Sequence, residues 1–442
     1  CPLLGRRGHG TLAPSDSENA RPNETILSGP AASATGAAAL NSITEGVVVD
    51  IGGTTTDVAT ITGGLPASAP SGARIGGHET MVNAVRVHTE GIGGDSHIQP
   101  TPLDDKAIAI GPRRVTPLVT SCSERPEVQV MLEDQLRSSV ARESDGIYLW
   151  LLEHDWVTQS SGEAAIIAAL EESSVGRPYG EVVSSGLERN ALNRLIGLGV
   201  VGMTAFTPTD AAHVLGVDER YPAEPAHLGS ALLARQLDRF GKPVADDGLL
   251  FAELVLKRVS TAIAETILTA AADHDGLPAS HLKSALEAQT HLASRSGSRN
   301  ILEISAEISR AVTAVGAPAV LYGRQLGLNL GTDCTVSEHS EVANAYGAAT
   351  GVIRLVKETV VSAPRRGLFR VHAGEPSNYY DLEQAQKFAE KDAAAALSLR
   401  MASAGSREFV VSHNWEINEA LVEERRLFVE AILRSVAVGS PA

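Results

Sequence analysis

Two spacings of apolar residues alternate along this chain, and they predict its elements. Residues 24–40 (ETILSGPAASATGAAAL) run from a short strand-like piece through Ser-Gly-Pro into an alanine-rich helix, with Ser28 placed as its N-cap. Residues 46–61 (GVVVDIGGTTTDVATI) carry three valines into Asp50, a Gly52-Gly53 pair, three threonines, and a second apolar alternation after Asp57. β-Branched residues favour strands and paired glycines mark a bend, so this stretch reads strand–turn–strand. Val85 and Val87 alternate with Arg86 and His88 as a strand does, ahead of a second glycine turn at Gly91, Gly93 and Gly94. Two short strands are expected within 108–120, whereas 129–152 shows no clean period. Residues 164–170 and 188–198 read as helices and 199–206 as a strand. Thr207-Pro208-Thr209-Asp210 then carries helix-start signals: a capping threonine, proline at the first helical position, and an acidic residue three after the cap.

Helices are expected over 231–240 and 249–272, and Leu250, Leu254, Val255, Ile263, Ile267 and Leu268 keep roughly a 3.6-residue period. Residues 311–318 (AVTAVGAP) read as a buried strand running into a glycine turn, followed by a helix from about Ala319 to Leu326. Residues 340–355 read as a helix of small side chains. Small residues there fit two arrangements, a flat ring lying against backbone or a close-packed helix. The tail has another texture: GLFRVHA alternates, 381–404 is a charged, alanine-rich helix, 408–415 alternates again, and 416–436 is expected to close as a helix.

Composition narrows the function classes. A chain of 442 residues can bury a large core and hold two or three domains, and with 43% hydrophobic but only 4% aromatic residues that core must be aliphatic. The formal charge of −16 argues against a nucleic-acid partner. It does not argue against ATP, since phosphate cradles use backbone amides and Mg²⁺. Cys1, Cys122 and Cys334 show no paired spacing, so a zinc site and a disulfide framework are both unsupported and a cytoplasmic setting is expected. No apolar run is long enough to predict a membrane span. The first residue is Cys, and residues 1–21 read as a loop cut in mid-chain, so a preceding segment is expected.

Candidate chemistry gathers at the glycine turns. At the first, Gly52 and Gly53 let backbone amides approach an anion, Thr54, Thr55 and Thr56 add hydroxyls, and Asp50 at the strand end can hold hydrated Mg²⁺. No Gly-Lys-Ser/Thr follows, so it is not a P-loop, and an ordinary hairpin with a polar tip fits the same residues. At the second, His88, Asp95 and His97 lie within ten residues. They fit either a second divalent metal or plain loop hydrogen bonding. His154, Asp155 and His213 read as structural or exposed.

Several stretches, in order, carry a resemblance: ETILSGPAAS, VVVDIGGTTTDVA, RIGGHETMVNAVRVHTEGIGGDS, AFTPTDAAHVLG, AVGAPA and ANAYGAATG. Together, from about residue 21 to 355, they resemble the A-type subunits of the hydantoinase/oxoprolinase family. That family is similar to the actin, Hsp70 and sugar-kinase superfamily, in which two α/β domains of ribonuclease H-like fold close over ATP. The resemblance implies a discontinuous phosphate- and adenosine-binding α/β domain at 23–125 and 300–358. The texture of the chain itself sets residues 1–22 as a loop or truncated linker, 126–299 as an inserted, mostly helical subdomain, and 359–442 as a small α+β domain. The resemblance also implies that Asp50 to Asp57 form a phosphate hairpin with Asp50 and Asp57 as catalytic residues, and that Gly316, Ala317, Pro318 and Ala319 lie by the adenosine. The implied activity is ATP- and Mg²⁺-dependent opening of a small cyclic amide through phosphoryl activation, within an oligomer containing a B-type subunit. Two alternatives stand beside it: the A-type subunit of an ATP-dependent ketone carboxylase, and a non-catalytic ATP-binding remnant. The family pattern departs here in two places. A first Asp-Gly-Gly-Thr hairpin, expected in an N-terminal domain, is not in this sequence, and Asp95 stands where relatives carry a third glycine.

Overall fold

The valine run becomes a central strand. β1 (Glu45–Ile51) leads through the Gly-Gly turn to β2 (Thr56–Thr62), and β3 (Val87–Glu90) runs antiparallel along β2. β4 (Ser96–Pro100) and β5 (Ile108–Arg114) form a separate antiparallel pair, followed by α1 (Leu118–Glu124) and α2 (Pro126–Arg137). Next come β6 (Tyr148–Leu151), α3 (Ser161–Glu171), α4 (Gly186–Gly197) and β7 (Val201–Thr204). After α5 (Pro208–Val214), α6 (Glu224–Ala234) and the long α7 (Gly248–His274), the chain returns to the central sheet as β8 (Val312–Val315), α8 (Ala319–Leu330) and β9 (Cys334–Val336). The computed structural model describes residues 4–6, 12–14, 28–69, 74–75, 78–79, 84–101, 108–238, 240–294, 304–350, 353–365, 367–422 and 425–439.

These residues fall into two units, one of Glu45–Thr60 with Val87–Glu341, the other of Cys1–Thr44, Ile61–Arg86 and Val342–Ala442. The architecture is mixed α/β with several sheets. In the first unit the main sheet has the order β3-β2-β1-β8-β9. β8 lies parallel to both neighbours, in a register that sets Val312 beside Val47 and Val315 beside Asp50. Val47, Val49 and Ile51 enter a core with Phe206, Phe251 and Tyr322, all at most 4% exposed. Burying aliphatic side chains at roughly 1.5–3 kcal/mol each is what holds such an aromatic-poor fold. α7 packs against α5, α6 and α8. α6 ends at Ala234 rather than near 240, where Gly241 takes a positive φ.

The capping signals hold. Thr207 Oγ1 accepts from Asp210 N at 3.2 Å while Asp210 Oδ2 accepts from Thr207 N at 2.9 Å, a closed capping box with Pro208 at the first helical position. β6 and β7 pair antiparallel and share a second core with α3 and α4, where Leu149, Ile166, Leu192 and Leu195 are fully buried. The aperiodic stretch 129–152 resolves into the end of α2 and β6.

In the other unit, helix Ser28–Leu40 packs on helix Ala343–Thr350 through glycines. A Cβ on Gly36 would meet Ala343 O at 1.9 Å, and one on Gly347 would meet Ala32 O at 2.0 Å. The small residues of the second helix therefore serve close packing. That helix stops at Thr350, and Ile353–Arg365 is a strand, not the end of the helix expected over 340–355. The closing helix expected over 416–436 is also absent: Phe409–Val422 and Arg425–Gly439 are paired strands. Ala431, Leu433, Ser435 and Ala437 are buried in alternation, a period of two that the apolar Ile432 and Val436 on the opposite face disguise. Helix Leu382–Ser403 covers this sheet with Ala385, Ala389, Ala393, Leu397 and Met401, capped by Asp381 as its position suggests. Short strands Leu4–Arg6 and Leu12–Pro14 pair near its edge, and the remainder of 1–27 lies outside the described residues. Among the described residues no helix is long and apolar enough to cross a membrane.

Candidate functional site

The register of β1 and β8 creates the site. Because Val315 lies beside Asp50 in a parallel pair, the residues that follow, the Gly52–Thr55 tip and the Gly316 turn, leave the sheet together at the carboxyl ends of its strands. Open α/β sheets bind ligands at that edge. Gly316 takes φ +93°, and a Cβ on it would lie 2.2 Å from Ile51 O and 2.9 Å from Asp50 Oδ1. Only glycine fits so close to the catalytic candidate. Pro318 then precedes α8, whose first residue, the fully buried Ala319, donates to Gly316 O at 3.1 Å, while Ala317 is exposed.

The hairpin tip rests on the second glycine turn. Gly52 O accepts from Gly94 N at 3.0 Å, Gly53 O accepts from Asp95 N at 2.7 Å, and Thr56 Oγ1 donates to Ile92 O at 2.7 Å. A Cβ on Gly93 would come within 2.5 Å of backbone atoms of Gly52 and Gly53. Gly52 N donates to Thr55 O at 2.9 Å, closing the tip. The amides of Gly53 and Thr54 and the hydroxyls of Thr54 and Thr55 have no acceptor among the described residues. Donors of this kind at a glycine turn can receive an anion.

Thr209, which sequence reasoning assigned only to a helix start, joins the same cluster. Its amide and hydroxyl both donate to Gly94 O, at 2.9 and 2.8 Å. A Cβ on Gly94 would face Thr209 Oγ1 and Pro318 Cγ at 3.0 and 3.4 Å. Four separated segments thus converge: the first hairpin, the second glycine turn, the start of α5 and the Gly316 turn. The Thr-Pro-Thr-Asp cap was legible; its docking on Gly94 had no sequence signal.

The carboxylates differ in setting. Burial pushes the Asp57 carboxyl above the usual range and the nearby Asp50 carboxylate adds to this, against the 2.5 Å hydrogen bond from Thr89 Oγ1. A divalent cation would relieve that repulsion. Asp210, fully buried, is pushed up to about 6 by desolvation although it accepts from the Leu118, Val119 and Thr207 amides and the Thr207 hydroxyl. It joins the starts of α1 and α5.

The second metal expected at His88, Asp95 and His97 finds no assembled ligand set, since each side chain has its own surroundings. His88 Nε2 lies 3.2 Å from Asp273 Oδ2. Asp95 Oδ2 accepts from Arg114 Nε and Nη2 at 3.1 and 3.0 Å, and it lies where a Cβ on Gly53 would touch it at 2.7 Å. His97 is 7% exposed, and burial, aided by Arg113, pushes its pKa down to about 4. Among the described residues no group of three or more His, Cys, Asp or Glu is arranged to hold a metal ion.

A family model described as hydantoinase/oxoprolinase matches residues 1–284. Comparison with curated proteins gives no match. Among solved structures, the chain is similar to a nucleotide-free ATP-dependent acetone carboxylase, at 13% identity and TM-score 0.46, over 100% of this chain and 53% of that one. It is also similar to the ATP-dependent caprolactamase of Pseudomonas jessenii, at 13% identity and TM-score 0.49, over 99% and 53%. The chain therefore spans about half the length of these two structures, 53% of each.

Proposed function

Since the chain belongs to the hydantoinase/oxoprolinase family, we propose that it is the nucleotide-binding portion of an ATP-dependent subunit that opens a small cyclic amide through phosphoryl activation. The observation that carries this reading is the side-by-side exit of Asp50 and the Gly316 turn from adjacent parallel strands, over a hairpin tip with unused donors. In this reading the fold is of the actin, Hsp70 and sugar-kinase type, and a B-type subunit and a further domain complete the active site.

The residues present fit Mg·ATP. Glycines at 53 and 316 stand where a side chain would crowd Asp95 or Asp50, and the Gly53 and Thr54 amides and the Thr54 and Thr55 hydroxyls are donors of the kind that cradle phosphates. Asp50 and Asp57 are the carboxylates that would hold Mg²⁺, which binds through one or two carboxylates beside phosphate oxygens. Gly316, Ala317, Pro318 and Ala319 would flank the adenosine. When bound, Mg·ATP supplies the phosphoryl group that turns an amide oxygen into a leaving group. The work of this chain is positioning: the docked glycine turns fix the donors in place, and the start of α8 directs amides toward the same edge.

Calorimetric titration with Mg·ATP tests this. The parent chain is expected to bind and Asp50→Ala to lose binding by at least tenfold, with its melting temperature retained. Equal binding by Asp50→Ala would sink the assignment of the hairpin. Turnover of a lactam is then to be sought with the B-type partner added, and of a ketone with bicarbonate as the competing assay.

A further inference from the structure

Beside the hairpin, within the same unit, lies a cavity of about 1050 Å³ walled by β5 and α4, with His97 in its lining. Three arginines line it, Arg113, Arg114 and Arg189, against a single acidic side chain, Glu143, among the described lining residues. Arg114 is neutralised by Asp95, 3.0 Å away. Arg113 is not. Its guanidinium donates to Asn193 Oδ1 at 2.7 Å and reaches Met203 Sδ at 3.9 Å, both uncharged partners. Arg189, exposed on α4, pairs with no carboxylate among the described residues. Other arginines of this unit, Arg177, Arg194, Arg220 and Arg235 among them, each hold a carboxylate. In a chain of net charge −16, this one cavity thus gathers two guanidinium groups that no carboxylate neutralises among the described residues.

We propose that this cavity is a binding site for a small oxyanion-bearing molecule, a carboxylate or a phosphate, held by Arg113 and Arg189. A half-buried guanidinium fixed by neutral partners keeps its fork oriented, and such forks bind planar oxyanions through two charge-assisted hydrogen bonds. The rest of the ligand lies against Ile147, Tyr179, Val183 and Ile196, which give the cavity its apolar lining. The cavity volume suits a small organic molecule. The site does not depend on the nucleotide reading: it lies on the far side of the Asp95–Arg114 pair from Gly53 and uses none of the hairpin's donors.

Calorimetry on the full chain at constant ionic strength tests the site with three probes: inorganic phosphate, cyclopentanecarboxylate, and the uncharged isostere cyclopentanecarboxamide. At least one anion is expected to bind and the amide to bind at least tenfold more weakly. Loss of a charge-assisted pair corresponds to roughly tenfold to a hundredfold in affinity, so Arg113→Ala is expected to weaken binding by about that factor and Arg189→Ala by several-fold, whereas Arg113→Lys falls between. Arg189 is exposed, so its replacement keeps the test valid if Arg113→Ala fails to fold. Binding of the carboxylate alone marks an organic acid as the ligand, and binding of phosphate alone a phosphoryl species. Asp50→Ala is expected to leave either unchanged. The proposal fails if neither anion binds, if the amide binds as tightly as the carboxylate and phosphate does not bind, if Arg113→Ala and Arg189→Ala both retain full affinity, or if Asp50→Ala abolishes the anion binding.

Discussion

Gly316→Ala isolates the contact on which the site is built. At φ +93° an L-residue is strained by roughly 1–3 kcal/mol, since this region suits glycine. The added methyl would also lie 2.2 Å from Ile51 O and 2.9 Å from Asp50 Oδ1. The first neighbour is backbone in the middle of the main sheet, between β2 and β8, and cannot swing aside as a side chain would. Forcing a methyl into such a space adds about 1–3 kcal/mol, so the unit should lose roughly 2–6 kcal/mol. A domain of this size shifts its melting temperature by about 2–4 °C per kcal/mol, which gives a fall of roughly 4–24 °C. Relief of the clash moves the end of β1 and Asp50 with it, so Mg·ATP affinity should drop even at temperatures where the variant is fully folded. Thermal unfolding by circular dichroism and calorimetry with Mg·ATP read the two effects separately. A melting temperature within about 2 °C of the parent would refute the packing argument. Full affinity in a clearly destabilised variant would refute the claim that the Gly316 turn positions the nucleotide.

Three other outcomes follow from the same geometry. Gly93→Ala pushes a methyl to 2.5 Å from Gly52 and Gly53 backbone and should cost about 1–3 kcal/mol, whereas Gly197→Ala, in a helix where the methyl meets nothing, should stabilise by roughly 0.5–1 kcal/mol; urea midpoints that failed to separate the pair would contradict the docked-turn picture. Asp50→Ala should remove Mg·ATP binding while leaving the circular dichroism spectrum and melting temperature near the parent's, as measured by calorimetry beside thermal melts. The third concerns pH. His97, lowered from 6.5 to about 4 in the fold, binds more protons when unfolded, so its contribution is present above 6.5 and lost as pH falls toward 4. Asp210, raised from 3.8 to about 6, binds more protons when folded, so its contribution is present below 3.8 and lost as pH rises through 6. Each contribution totals on the order of 3 kcal/mol, and the two oppose each other across about pH 4–6. The parent should be nearly flat there, and His97→Gln should become less stable as pH rises through that window; an unchanged urea-midpoint profile would show that His97 is not held neutral.

What the sequence made legible was local, and what it hid was convergence. The hairpin around Asp50, the Thr207 capping box, the strand ending at Val315 and the long helix of 248–274 each declare themselves in consecutive residues, through β-branched runs, caps and a 3.6-residue period. The strands of 409–439 were disguised because Arg, Glu and Ser fall between apolar residues in a way that satisfies both periods over short windows, and only the burial alternation of Ala431, Leu433, Ser435 and Ala437 decides between them. The site had a different difficulty. Thr209, Gly94 and Pro318 lie far apart in the chain, and the contacts among them depend on glycines whose missing side chains leave no pattern of their own. Asp95 shows how the two levels combine. In sequence it stands where the family resemblance leads one to expect glycine, and with His88 and His97 nearby it suggested a metal ligand. In the structure its carboxylate covers Gly53 on one side and holds Arg114 on the other. A glycine at 95 would uncover the hairpin tip and leave a third arginine of the neighbouring cavity without its carboxylate. The departure at this position therefore bears on the hairpin tip proposed to cradle phosphate and on the charge of the cavity proposed to hold an anion, and the chemistry at both should be compared with Asp95→Gly before a substrate is assigned to either.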